Sequence, residues 1–157
     1  MQHKILVSAC LMGEEVRYDG KHNLVEHITL NKLKTQNRLI LVCPEMLGGL
    51  PTPREPAEII TTSKTIRVKT EQKIDVTAQF IEGANKTLQI CLDNKIDIAL
   101  MAAKSPSCGN IETYNGEFNR TLIKQAGITA QLLQKNGIKV FNQNQLNEFF
   151  KYLEQTN

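Results

Sequence analysis

Ile98-Ala-Leu-Met-Ala-Ala-Lys-Ser-Pro-Ser-Cys-Gly109 is the stretch on which the fold turns. An unbroken apolar run, Ile98 to Ala103, meets a Ser-Pro-Ser-Cys-Gly segment that cannot continue it. An apolar run without alternation reads as a strand covered on both faces, as in a parallel sheet. Two further runs end in the same manner. Ile5-Leu-Val-Ser-Ala9 leads into Cys10, and Leu39-Ile-Leu-Val42 leads into Cys43. Three strands thus each deliver a cysteine at the carboxyl end. As parallel neighbours they share one rim, and the crevice outside that rim is where open α/β sheets bind ligands.

Between these runs the pattern is helical. Leu24, Ile28 and Leu33 carry a weak helical period, which predicts a helix over 23–35. Val76, Phe80, Ala84, Thr87, Leu88, Cys91 and Leu92 share one face of a longer helix, with Asp75 or Thr77 as its N-cap and its end near Asn94. Cys91 lies on that apolar face and reads as core packing. Ala57-Glu-Ile-Ile60 and Thr65-Ile-Arg-Val68 are short extended segments suited to a hairpin or a sheet edge. Tyr114-Asn-Gly116 carries a turn signal. A helix over 129–135, a strand over 138–141 and an amphipathic helix over 144–154 close the chain. The segment Cys43-Pro-Glu-Met-Leu-Gly-Gly-Leu-Pro-Thr-Pro-Arg54, with two glycines and three prolines, reads as a long shaped loop carrying reactive side chains. Strand–helix alternation predicts an α/β three-layer sandwich with a mainly parallel, Rossmann-like sheet, as one domain over 1–157.

Composition excludes several classes. The formal net charge is +3 from 19 basic and 16 acidic residues, too mild and too scattered to make nucleic acid a partner. No apolar stretch is long enough to cross a bilayer, and no signal-peptide pattern precedes the first strand, which points to the cytoplasm. In a reducing compartment the four cysteines are buried hydrophobes, metal ligands or nucleophiles rather than disulfides.

Three chemistries suit the rim cysteines. A structural zinc site wants four closed ligands, often in paired spacing, and His3, His22 and His27 offer none. A nucleophilic cysteine needs a positioned base. A four-iron cluster usually takes four thiolates, and with three it leaves one iron open to water or substrate. Spacing alone leaves these open.

The motifs SACLMG (Ser8 to Gly13), RYDG (Arg17 to Gly20), CPEMLGGLPTPR (Cys43 to Arg54), DVT (Asp75 to Thr77) and KSPSCG (Lys104 to Gly109) resemble those of the bacterial thiouracil desulfidases, a family long catalogued as a domain of unknown function. YNG (Tyr114 to Gly116) and GITAQLL (Gly127 to Leu133) resemble the same family, so the likeness spans nearly the whole chain. It implies a [4Fe-4S] cluster held by Cys10, Cys43 and Cys108. It implies removal of sulfur from thiolated pyrimidines, 2- or 4-thiouracil, by non-redox hydrolysis to uracil and sulfide. Within that resemblance Glu45 is the expected acid/base, and Ser105 is expected to steer the water or a proton. Arg17, Asp19, Arg54 and Ser107 are the expected substrate contacts. Gly48, Gly49 and Gly109 are expected to let backbone approach the cluster. Many relatives carry another cysteine just before RYDG, where this chain has Val16, which agrees with a three-cysteine ligand set. The absence of the appended module of longer relatives favours a free base as substrate. The competing readings are a non-catalytic iron–sulfur sensor or carrier, and a cluster-free hydrolase with Cys108 or Ser105 as nucleophile.

Overall fold

The structure, a computed structural model, describes residues 3–156. In chain order its elements begin with β1 (Ile5–Ser8), α1 (Ile28–Thr35), β2 (Leu39–Val42), α2 (Pro44–Leu47), β3 (Ala57–Thr61), β4 (Ile66–Thr70) and α3 (Thr77–Asp93). They continue with β5 (Ile98–Leu100), β6 (Glu112–Tyr114), β7 (Leu122–Lys124), α4 (Ile128–Lys135), β8 (Lys139–Phe141) and α5 (Leu146–Thr156). Four strands form a parallel sheet in the order β2-β1-β5-β8. Every residue of β1 is buried, while β2 at the sheet edge is only partly covered, as its position requires. Right-handed crossovers put α1 on one face and α3 and α4 on the other. The contacts agree: His27, at the start of α1, stacks 4.6 Å from Phe150 of α5, and α3 packs along α4. The expected three-layer α/β architecture is therefore present. Two antiparallel hairpins, β3–β4 and β6–β7, stand outside the sheet.

The strand order reverses between β1 and β5, so the carboxyl ends of these two strands open a crevice at the switch point. The register sets Ser8 of β1 level with Val42 of β2, and Val7 level with Leu100 of β5. The three cysteine-bearing segments therefore emerge at the same rim.

Several boundaries differ from expectation, each for a local reason. The first helix begins at Ile28 rather than near Asn23. The backbone N–H groups of Asn23 and Val25 donate instead to the Cys10 and Leu11 carbonyls, at 2.9 and 2.8 Å, which holds this segment extended. His27 then N-caps α1, its Nδ1 accepting from Thr29 N–H. The segment expected as loop from Cys43 contains α2, because Pro44 stands at the first helical position, where a missing N–H costs nothing. The N-cap position of α3 is Val76. Asp75 serves from one residue earlier by accepting Thr77 N–H, while the Thr77 hydroxyl accepts Val68 N–H across the hairpin. The third strand shortens to Ile98–Leu100. The Asn-Gly signal belongs to a longer loop between β6 and β7, held to β3 by Glu58, whose Oε1 accepts Gly116 and Phe118 N–H. At the C-terminus a capping box of Asn142 and Gln145 opens a 3-10 turn before α5.

Gly48 does not serve close approach to a ligand. A Cβ on Gly48 falls 1.9 Å from the Gln79 carbonyl oxygen, and one on Gly83 falls 1.9 Å from the Pro44 carbonyl oxygen. The two glycines bring α2 and α3 into backbone contact. Gly109 is likewise hemmed in, since a Cβ there falls 2.9 Å from the Ser105 and Glu112 carbonyl oxygens, and a Cβ on Gly49 meets no neighbour, though its φ is 96°. Gly83→Ala gains about 1 kcal/mol of helix propensity. It loses more to a backbone overlap that no side-chain rotation relieves, at or beyond the ~3 kcal/mol upper end of ordinary overpacking. The expected outcome is a large drop in the urea midpoint with displacement of α2; an unchanged midpoint would show that the two helices part without cost.

Candidate functional site

Each cysteine is held by a short structured segment rather than by a strand. After β1 the chain winds into a 3-10 turn, Ala9–Met12, closed by Gly13 in the left-handed region at φ 95°, and Cys10 sits inside that turn. Cys43 is the N-cap of α2, which carries Glu45 in its first turn. Cys108 lies in the turn after β5, where Ser105 accepts Ser107 and Cys108 N–H on its hydroxyl oxygen and Gly109 N–H on its carbonyl. That turn is braced from behind by α4. The Pro106 carbonyl accepts Ile128 N–H, the Ser107 carbonyl accepts Thr129 and Ala130 N–H, and the Gly109 carbonyl accepts Gly127 N–H. The free N–H groups at the start of α4 are thus satisfied by the Cys108 turn itself.

The three thiols meet electrostatically. The Cys108 thiol feels Cys10, Cys43 and Glu45, and Cys10 feels Cys43 and Arg17. Burial pushes Cys10 up to about 11 and raises Cys43, whose rise is opposed first by the Met46 backbone N–H and then by Arg54. Burial raises Cys108 further still, against a lowering contact from the Ser8 hydroxyl, which also accepts Ala102 N–H at 3.0 Å. A nucleophilic cysteine has a depressed pKa. All three here are shifted the other way, which argues against Cys108 as a free nucleophile. Soft sulfur donors whose deprotonation awaits a metal are the groups at this rim able to hold one.

Arg54 organises the Cys43 side. Its Nε donates to Glu45 Oε1 at 3.1 Å, Nη1 to the Pro51 carbonyl and the Thr52 hydroxyl, and Nη2 to the Val16 carbonyl and to Cys43 Sγ at 3.9 Å. These contacts occupy all of its donors, so Arg54, an expected substrate contact, is instead a clamp. The Val16 carbonyl also accepts from the Cys43 thiol and keeps its bond to Arg54 when that thiol ionises. Burial raises the Glu45 pKa, and the adjacent Arg54 charge opposes the rise. With its side chain 16% exposed, this carboxylate lies beside the thiols within reach of water.

The other expected residues divide. Ser105 retains a hydroxyl proton to donate, because its oxygen is occupied by two N–H groups as acceptor. Ser107 is 1% exposed and its hydroxyl pairs with Thr129 at 2.8 Å; burial removes it from substrate contact. Arg17 and Asp19 pair at 3.1 Å, and Arg17 Nη1 donates to Asn23 Oδ1 at 2.6 Å. Asn23 and Ser8, both beside cysteine sulfurs, were not singled out by sequence reasoning. Neither lies in a spacing pattern that reports contact with a cysteine. Cys91, buried in α3, makes no contact with the other three thiols, as expected for core packing. No helix among the described residues is long and apolar enough to cross a membrane.

Comparison with known proteins agrees with this arrangement. The family model described as 2-thiouracil desulfurase matches residues 5–145. The uncharacterized protein YbbK of Bacillus subtilis (strain 168) is 41% identical over 150 residues, covering 92% of this chain and 98% of that protein. Among solved structures, the [4Fe-4S]-dependent thiouracil desulfidase TudS superposes with a TM-score of 0.93 at 42% identity, covering 99% of this chain and 100% of that one. With a family model spanning most of its length and a relative matched almost end to end, the chain belongs to the 2-thiouracil desulfurase family.

Proposed function

We propose that this protein is a [4Fe-4S]-dependent desulfidase that hydrolyses thiouracil to uracil and sulfide, with Cys10, Cys43 and Cys108 as the cluster ligands. The observation that carries the reading is the convergence of three thiols, Cys10 and Cys108 buried and Cys43 half-buried, with one carboxylate at the carboxyl rim of the sheet. The donor set, three soft thiols, suits iron–sulfur chemistry. Among the described residues no group of three or more His, Cys, Asp or Glu is arranged to hold a single metal ion.

Water adds to the thiocarbonyl carbon, the carbon–sulfur bond breaks, and sulfur leaves as sulfide; no electron is gained or lost. When bound, the cluster supplies a Lewis-acidic iron with affinity for the substrate sulfur. The chain supplies the proton handling. Glu45 in its ionised form takes a proton from the attacking water and returns one to the departing sulfur, and its raised pKa suits both tasks. Arg54 keeps that carboxyl oriented and favours its charged form. The Ser105 hydroxyl donates to the water and aims it. The substrate is a free thiolated pyrimidine rather than a nucleic acid, in keeping with the mild, scattered charge.

The test is anaerobic reconstitution with iron and sulfide, followed by incubation with 4-thiouracil. The expected result is loss of the thiouracil absorbance with stoichiometric sulfide release. A cluster-loaded protein that releases no sulfide from either thiouracil isomer would overturn the reading in favour of a sensor or carrier. Full activity in iron-free protein would overturn it in favour of a plain hydrolase.

A further inference from the structure

We propose that Asn23 is a positioning residue for the metal centre: its amide donates to the Cys10 sulfur, and Arg17, held by Asp19, aims that amide. The inference rests on the ligand set proposed above. Asn23 Nδ2 lies 3.9 Å from Cys10 Sγ, within the longer reach that sulfur's radius allows. A side-chain amide has one accepting end and one donating end, and nothing intrinsic decides which faces the sulfur. Arg17 decides it here. Its Nη1 donates to Asn23 Oδ1 at 2.6 Å, a short charge-assisted contact that turns the Nδ2 hydrogens toward Cys10. Asp19 Oδ2 sits 3.1 Å from Arg17 Nη2 and Asp19 Oδ1 accepts Lys21 N–H, so the guanidinium is itself held in place.

The backbone is committed to the same purpose. Asn23 N–H donates to the Cys10 carbonyl at 2.9 Å, so the residue grips the Cys10 turn with both main chain and side chain. This contact is what withdraws 23–25 from the helix that their sequence period predicts. A neutral thiol is a weak acceptor and gains little from such a relay. A thiolate ligated to iron carries charge, and hydrogen bonds to cluster sulfurs are a main lever on reduction potential. An N–H···S bond stabilises the more negative, reduced form and so raises the potential. Arg54 stands in the same relation to Cys43, and Ser8 to Cys108. Arg54 also holds Glu45, and Ser8 also holds Ala102 N–H, so Asn23 is the donor that can be removed most cleanly. Arg17 and Asp19, expected at the substrate, thereby act on the cofactor through Asn23.

The experiment uses full-length protein reconstituted anaerobically, without substrate: wild type, Asn23→Leu, Arg17→Ala and the double variant. The readouts are the midpoint potential of the cluster and iron loss to excess chelator. Asn23→Leu keeps the volume and removes the donor. Its midpoint is expected to move to more negative values, with cluster affinity falling by about tenfold or more, as for other partners that orient metal ligands. Arg17→Ala, at a partly exposed side chain, leaves the backbone bonds of Asn23 intact and is expected to shift the midpoint in the same direction by less. The double variant should fall short of the sum of the two single shifts: the Arg17 charge also acts on Cys10 directly, but the part relayed through Asn23 is already lost. An unmoved midpoint in Asn23→Leu, or an Arg17→Ala shift that adds in full to it, overturns the relay while leaving the desulfidase reading standing. Wild-type protein that takes up no cluster overturns both. Should Asn23→Leu fail to fold, an unmoved midpoint in Arg17→Ala overturns the relay by itself.

Discussion

Cys10→Ala, Cys43→Ala and Cys108→Ala are each expected to abolish cluster incorporation outright, while Cys91→Ala takes up a full complement of iron and sulfide. The sharpness follows from burial. All three rim thiols are shifted upward, Cys10 to about 11, even with Arg54 beside Cys43 and Arg17 near Cys10, so the protein's own cations do not suffice to ionise them. Iron would supply the further positive charge, and binding would release the protons. Removing one ligand leaves two thiols of raised pKa to be ionised for a cluster that is now held at two corners. Cys91 is fully buried in α3, but burial alone shifts it and no donor or neighbouring thiol acts on it. Its loss trims the core and leaves the rim untouched. Iron and sulfide analysis after reconstitution is the measurement. Normal cluster content in any of the three rim variants would remove that cysteine from the ligand set.

Glu45→Gln is expected to retain the cluster and to lose turnover by about 10²–10⁴-fold, the usual range for a general acid–base group. Glutamine keeps the size and an oxygen acceptor for Arg54 Nε, so α2 and the Cys43 cap should stand. What disappears is the capacity to take a proton. In the wild-type protein the ionised carboxylate is the working form, so activity falls as pH drops through its pKa. Burial raises that pKa above the ordinary carboxylate value, which places the acid limb higher than for an exposed glutamate. Arg54 opposes the rise, so Arg54→Gln should move the limb higher still. A pH profile of kcat on cluster-loaded protein reads both effects. Normal turnover in Glu45→Gln would assign water activation to another group.

Chain direction and apolar runs carried much of this account. The runs at Ile5, Leu39 and Ile98 are uniformly apolar because their strands lie inside a parallel sheet, and a run of that kind is legible without coordinates. The motif around Cys43 announced a functional loop but concealed α2, since proline and glycine read as breakers unless their position in a helix is known. Gly48 looked like a ligand-facing glycine. It proved to be half of a contact with Gly83, thirty-five residues along the chain, a pairing no local pattern reports. Ser107 directly precedes Cys108 in the motif and yet faces Thr129 in the interior. Side-chain direction in a tight turn alternates within a residue or two, so proximity in sequence says little about which neighbour shares the site.

By itself the sequence determined the class of fold, the three rim cysteines as candidates apart from Cys91, and the family resemblance, because hydrophobic period and short motifs are local properties. The tertiary structure alone decided which polar groups serve those sulfurs. Asn23, Arg54 and Ser8 reach them through a segment held extended ahead of α1, a saturated guanidinium and a strand end. Each of these depends on distances between segments far apart in the chain, and such distances are set only when the sheet closes and its carboxyl rim is assembled.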